Sequence, residues 1–221
     1  MLYWHREMDA LQREIEHGVE VLRNGGVIAY PTDTVYGLGA DAFNTAAVDR
    51  IYEIKGRPRE RQLPLLIADE EYLPLLVEPV PDMARFLAGR FWPGALTMVF
   101  PAAPSLPAHL ATGPGIAVRL PDHAACLALI RGLGNPVIGT SANLSGRGPA
   151  LTAAEVRQQL GSRIDLVIDG GGCRGGREST VIDVTGRAPL VLREGIITAH
   201  EIERAYEEYL EVSNEAHYHR R

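Results

Sequence analysis

Val27-Ile28-Ala29-Tyr30-Pro31-Thr32-Asp33-Thr34-Val35-Tyr36-Gly37-Leu38-Gly39 is the stretch of this 221-residue chain whose reading decides the fold. Its first four residues, β-branched and aromatic, read as a buried strand that Pro31 ends. The turn that follows is rich in hydroxyls and glycine, and α/β sheets place ligand contacts at such strand ends. Its glycine spacing matches neither the dinucleotide fingerprint nor the P-loop. The plainer alternative is a capping loop whose Thr and Asp side chains bond local backbone.

Working outward, Leu11, Ile15, Val19 and Leu22 recur at helical spacing over residues 6–23, and Asn24-Gly25-Gly26 stops that helix. Asn44 or Thr45 caps a helix running to about Lys55, with Val48, Ile51 and Ile54 on one face. A strand is predicted at 63–68, helical stretches near 69–77 and 82–91, strands at 96–100 and 116–120, and a helix at 122–133. Val137-Ile138-Gly139 leads into the loop Thr140-Ser141-Ala142-Asn143, followed by a helix over 152–160. Strands at 166–169, 180–184 and 189–193 precede a last helix from about Thr198 to Leu210. Residues 213–221 are expected to form a frayed tail, and no metal role is assigned to its His217 and His219. The alternation, with three strands close together near the end, predicts an α/β fold: a twisted sheet of mixed parallel and antiparallel direction covered by helices. No repeat or linker divides it, so residues 1–221 are expected to form a single domain.

Composition narrows the function. A formal net charge of −6 argues against a protein that coats nucleic acid by bulk charge. Cys126 and Cys173 form neither a metal-ligand spacing nor a disulfide framework, as in a reducing cytosol. No apolar run is long enough to span a bilayer, so a cytoplasmic location and no membrane partner are expected. Of 22 basic residues only Lys55 is lysine. Where arginine is used almost everywhere, a retained lysine points to a job for a compact point charge, although chance placement alone would also leave one.

Three further stretches carry chemistry. In Ile54-Lys55-Gly56-Arg57-Pro58-Arg59-Glu60-Arg61, four cations crowd a predicted helix end, where they suit the negative end of the dipole. Gly56 and Pro58 break the helix, leaving Lys55, Arg57 and Arg61 on a loop suited to a polyphosphate. Gly139-Thr140-Ser141-Ala142-Asn143-Leu144-Ser145-Gly146 offers hydroxyls and backbone N–H groups to an anion, or simply turns. Arg119 is a cation within an apolar strand and needs a carboxylate, from the protein or from a ligand. The glycine-rich stretch 170–178 reads as a lid, a Gly-Arg RNA-binding segment or a long turn.

Taken together and in order, PTDTVYGLG, IKGRP, WPGALT, AVRLP, TSANLSG, ESTVIDV and LREG resemble the YrdC/Sua5 family of threonylcarbamoyl-AMP synthases over residues 12–205. The resemblance implies a YrdC-like fold with a concave basic pocket, in a short form without the C-terminal Sua5 domain. It implies condensation of L-threonine, bicarbonate and ATP into threonylcarbamoyl-adenylate and pyrophosphate. A partner tRNA threonylcarbamoyltransferase complex would then modify adenosine 37 of tRNA to N6-threonylcarbamoyladenosine. Carried over residue by residue, Lys55 and Arg57 are the expected catalytic pair. Thr34, Leu66, Arg119, Gly139 and Ser179 fall on the threonine side. Lys55, Arg57, Arg61, Gly115, Ser141, Asn143, Pro149 and Arg193 fall on the ATP side. Leu66 stands where some long members have histidine, and Arg61-Gln62 replaces a commoner Lys-Pro or Asn-Pro. Mg²⁺ is expected to arrive on the ATP phosphates, with no dedicated protein metal site. Two alternatives share the fold: an RNA-binding module with weak tRNA or double-stranded RNA affinity, and a YciO-like paralogue with another acceptor. Net charge and the lack of interleaved aromatics count against the first.

Overall fold

The computed structural model describes residues 2–110, 113 and 115–218. The chain begins with α1 (Leu2–Arg23), β1 (Ile28–Tyr30), β2 (Gly37–Gly39) and α2 (Thr45–Lys55). Then follow β3 (Leu65–Leu66), α3 (Leu73–Leu76), α4 (Asp82–Phe91), β4 (Leu96–Phe100), β5 (Ile116–Arg119) and α5 (Ala124–Leu133). The last part holds β6 (Val137–Ile138), β7 (Thr140–Ser141), α6 (Ala153–Leu160), β8 (Leu166–Val167), β9 (Thr180–Asp183), β10 (Leu190–Arg193) and α7 (Ala199–Tyr218).

The strands form two mixed sheets instead of one. The smaller has the order β7-β2-β1-β8 and the larger β10-β9-β4-β5-β3-β6. Within the larger, β4 runs parallel to β9 and antiparallel to β5, while β3 runs parallel to β5. The chain passes from one sheet to the other at Gly139, between β6 and β7, where its N–H donates to the Pro64 carbonyl at 2.8 Å. A Cβ there would collide with the Leu66 side chain, so only glycine lets the sheets meet this closely.

Several boundaries shift for local reasons. The Asn44 side chain accepts from Ala47 N, and Gly56, at φ 58°, closes α2 with bonds from Gly56 and Arg57 N–H to Glu53 and Tyr52 carbonyls. Lys55 is therefore the last helical residue rather than a loop residue. The predicted strand at 63–68 contracts to β3, and the 69–77 segment divides into a 3₁₀ turn, Glu70–Tyr72, and α3. The final helix continues to Tyr218, so residues 213–218 are helical rather than frayed, and 219–221 lie outside the described residues. Among the described residues no helix is long and apolar enough to cross a membrane.

The opening motif explains itself in packing. Tyr30 pairs with Gly37 in register, and Ile28 with Gly39. The Tyr30 ring lies over both glycines: an added Cβ would come within 2.8 Å of it at Gly37 and 2.7 Å at Gly39. Its hydroxyl donates to the Ile138 carbonyl at 2.7 Å, joining β1 to β6 of the other sheet. At Gly39 a Cβ would also meet the Ile138 carbonyl oxygen, which cannot move independently of the sheet. Gly39→Ala should therefore cost about 2–3 kcal/mol, as overpacked cores do. Gly148→Ala, where nothing lies within 4 Å, should change stability by less than about 0.5 kcal/mol. Urea unfolding of both variants measures the contrast.

Candidate functional site

A cleft of about 270 Å³ opens where the two sheets meet. Its floor is one face of the larger sheet. Leu66 pairs with Arg119, Val99 with Ala117, and Thr97 with Val181, so alternation puts all six on the same side. Their neighbours Leu65, Val118, Met98 and Ile182 point the other way and are completely buried. The walls come from Thr32, Thr34, Val35 and Gly37 after β1, from Gly139, Thr140 and Ser141, and from Glu178, Ser179 and Arg193. Arg57, Gln62 and Pro64 complete the lining.

Arg119 is the charged centre, with a side chain only 7% exposed. The carboxylate it requires comes from the protein: its Nη2 lies 2.6 Å from Asp33 Oδ1, which also accepts from Asp122 N at 3.1 Å. Its Nε donates to Gly94 O at 2.9 Å and its Nη1 to Thr34 Oγ1 at 3.0 Å. A guanidinium has five N–H donors, and these three bonds leave two for a ligand. Beside it, Ser179 Oγ lies 2.8 Å from Thr97 Oγ1. Arg193 donates to the Ser179 carbonyl at 2.9 Å and to Glu178 at 2.7 Å.

Arg57 also lines the cleft and donates through Nη2 to the Gln62 carbonyl at 3.0 Å. Burial, with Arg61 and Arg193 nearby, lowers its pKa from the usual guanidinium value. Arg57 Nε and Gln62 Nε2 are buried without a partner among the described residues.

Lys55 lies beneath the cleft wall, not in it. It is 5% exposed, and its Nζ donates to Ser141 O at 2.5 Å, Asn143 O at 3.1 Å and Asn143 Oδ1 at 3.3 Å. The Ser145 hydroxyl returns a bond to the Lys55 carbonyl at 2.6 Å. The lone lysine thus ties α2 to the 140–146 loop.

Of the residues singled out in the sequence, Thr34, Arg57, Leu66, Arg119, Gly139, Ser141, Ser179 and Arg193 line the cleft. Lys55, Arg61, Gly115, Asn143 and Pro149 do not. Arg61 is exposed on the loop after α2. Gly115 sits against the Phe100 carbonyl. Asn143 spends its amide on the Arg147 and Leu144 carbonyls. Pro149 precedes Ala150, whose carbonyl accepts from Tyr36 N at 2.9 Å. The cleft also takes in Thr32, Thr97 and Glu178, to which the sequence assigned no contact, and Gln62, noted there only as a departure from the commoner pair. A hydroxyl in the apolar run Leu96–Phe100 was the available signal for Thr97. The 170–178 stretch lies over the 33–34 turn: a Cβ on Gly175 would stand 2.8 Å from Asp33 O, and Tyr36 Oη donates to Gly171 O at 2.9 Å. Among the described residues no group of three or more His, Cys, Asp or Glu side chains is placed to hold a metal.

The Sua5/YciO/YrdC family model, described as "Telomere recombination", matches residues 20–195. This chain belongs to that family. Threonylcarbamoyl-AMP synthase of Bacillus subtilis is 44% identical over 199 residues, covering 89% of this chain and 58% of the relative. The protein of the same name from Pyrococcus abyssi is 44% identical over 184 residues, covering 83% and 54%. The chain thus spans little more than half the length of these two relatives. Among solved structures, P. abyssi Sua5 complexed with L-threonine has TM-score 0.83 at 42% identity, over 86% of this chain and 56% of that one. Escherichia coli YciO has TM-score 0.78 at 32% identity, over 86% and 93%.

Burial, reinforced by Arg57, pulls the Lys55 ammonium from 10.5 down to about 8. A folded value below the ordinary one means that the unfolded chain binds more protons between the two, so this group makes stability rise with pH across that window. Lys55→Met lacks that contribution. The stability gap between wild type and Lys55→Met should therefore widen in favour of wild type as pH rises from about 8 to 10.5. Urea unfolding of both proteins across this range measures it, and a constant gap would mean an unshifted ammonium.

Proposed function

We propose that this chain is a threonylcarbamoyl-AMP synthase, condensing L-threonine, bicarbonate and ATP into threonylcarbamoyl-adenylate with release of pyrophosphate. The observation that carries the reading is the preorganised Arg119, fixed by three protein acceptors with two donors to spare, beside the hydroxyls of Thr34 and Ser179. A guanidinium with its orientation already fixed suits an amino-acid carboxylate. The guanidinium groups of Arg57 and Arg193, both in the cleft lining, suit phosphate oxygens. Greater identity to the two synthases than to YciO favours this reading over the paralogue with another acceptor.

In this proposal the threonine amine and bicarbonate form a carbamate with loss of water. Its carboxylate attacks the α-phosphorus, and pyrophosphate departs. Arg119 orients threonine, with Thr34 and Ser179 beside it. Arg57 and Arg193 neutralise the charge that shifts onto the leaving group, and the Ser141 hydroxyl can donate a hydrogen bond to it. Lys55 acts through the 141–143 backbone, whose placement it sets. Leu66 and Gly139 bound the threonine side, while Arg61, Gly115, Asn143 and Pro149 support the nucleotide side from outside the lining. Asp33 and Glu178 each pair with an arginine. Mg²⁺ would then be held mainly by the ATP phosphates. Transfer of the product to tRNA adenosine 37 by a partner transferase, a cytoplasmic setting and any tRNA contact belong to the same proposal.

Incubation with ATP, Mg²⁺, bicarbonate and single amino acids should release pyrophosphate and form the adenylate only with threonine and bicarbonate present. Pyrophosphate release indifferent to either one would refute the assignment. Lys55→Arg keeps the charge but presents a planar fork to three converging oxygens, and turnover should fall about tenfold or more. Arg119→Lys should raise the threonine KM roughly tenfold to a hundredfold while changing the ATP KM less than about threefold. Initial-rate kinetics separates the two effects.

A further inference from the structure

Among the described residues the cleft lining carries four charged side chains, Arg57, Arg119, Arg193 and Glu178. Asp33, which answers Arg119, is not part of the lining, so Glu178 is its one carboxylate. Glu178 and Arg193 both act on the charge of Arg57. Arg193 does not need this carboxylate to keep its place. Its Nε and Nη2 both donate to the Ser179 carbonyl, at 3.3 and 2.9 Å. The backbone beneath is fixed in turn: Ile196 N donates to the Glu178 carbonyl at 3.2 Å, and a Cβ on Gly195 would collide with that same oxygen. Gly195 N donates to Thr180 Oγ1 at 2.9 Å. Only Nη1 of Arg193 goes to the Glu178 carboxylate, at 2.7 Å. Glu178 thus caps one end of a guanidinium that other bonds already hold. It does there what a phosphate oxygen would do, accepting from Nη1 and offsetting positive charge.

We propose that Glu178 is a built-in competitor for phosphate: it holds the Nη1 end of Arg193 in the free protein, and a phosphate-bearing ligand must displace it. Glu178 thereby limits the affinity of the cleft for ATP and pyrophosphate instead of adding to it. The proposal rests on the phosphate reading of Arg57 and Arg193 and deepens it. Two effects act in the same direction. The ligand gains an Arg193 bond only by breaking one, and the displaced carboxylate stays in the cleft as a like charge. Because Ser179 keeps the guanidinium in position, removing the carboxylate frees a donor without loss of its orientation. The same exchange eases departure of pyrophosphate, since Glu178 retakes Nη1 as the product leaves.

Isothermal titration calorimetry of wild type, Glu178→Gln and Glu178→Ala, with metal-free inorganic pyrophosphate and with ATP in Mg²⁺, tests this. Both variants should bind both ligands about three- to fivefold more tightly than wild type, a gain that a damaged fold cannot produce. Glu203→Gln, at an exposed position on α7, removes the same charge elsewhere and should stay within about 1.5-fold of wild type. The gain should shrink as NaCl rises from about 50 to 500 mM, because the pair is open to solvent. Weaker binding of both ligands by both variants would overturn the proposal and make Glu178 an orienting partner of Arg193. Weaker binding of ATP with Mg²⁺ alone would overturn it in favour of a metal contact, and unchanged affinity for both ligands would leave Glu178 no role in binding. Failure of wild type and variants alike to bind either ligand would sink the phosphate reading itself, whereas wild-type binding without the gain sinks only the role of Glu178.

Discussion

Arg119 is a full positive charge on a strand whose alternate residues are core, and burial without partners would cost several kcal/mol. Its three acceptors come from different parts of the chain: the carboxylate of Asp33, the hydroxyl of Thr34 and the carbonyl of Gly94. Satisfying one guanidinium therefore pins the turn after β1 to β5 of the other sheet and to the turn before β4. The Tyr30 hydroxyl on Ile138 adds a second tie between the sheets. The cleft is the space these ties hold open. Its floor is the sheet face that carries Arg119 itself.

Lys55 repeats this arrangement on the other wall with different geometry. Three oxygens of the 141–143 segment converge on its Nζ, a pattern that fits a tetrahedral ammonium better than a planar fork. In a chain whose other basic residues are all arginine, this explains the one lysine more directly than contact with phosphate does. It also explains why the sequence suggested a phosphate ligand there. IKGRP has the composition of an anion-binding loop, but α2 holds Lys55 in its last turn before the αL cap at Gly56, and the side chain is buried against the 141–143 backbone.

Much of the fold was legible, because long elements advertise themselves by period. The helices over 45–55 and 82–91 and the strand over 96–100 stand where apolar spacing put them. The short strands β2 and β7 were not legible, since two or three residues with glycine among or beside them carry no period, and with them went the division into two sheets. In the site, Arg119 was conspicuous as a charge in an apolar run, yet whether protein or ligand would answer it depended on a contact 86 residues away.

The two arginine–carboxylate pairs beside the cleft differ in a way that bears on ligand entry. Arg193 and Glu178 are 45% and 37% exposed at the side chain, whereas Arg119 and Asp33 are 7% and 17% exposed. An exposed pair is worth about 0–1 kcal/mol, so an incoming phosphate can take Arg193 from Glu178 at little cost. Separating a buried pair leaves an uncompensated charge and costs about 3–5 kcal/mol. A ligand carboxylate therefore has no reason to displace Asp33. In the proposed function it would bind the donors that Arg119 has left, alongside the standing pair. On this argument the Arg119 side is rigid and selective before any ligand arrives, while the Arg193 side rearranges around whatever anion it receives.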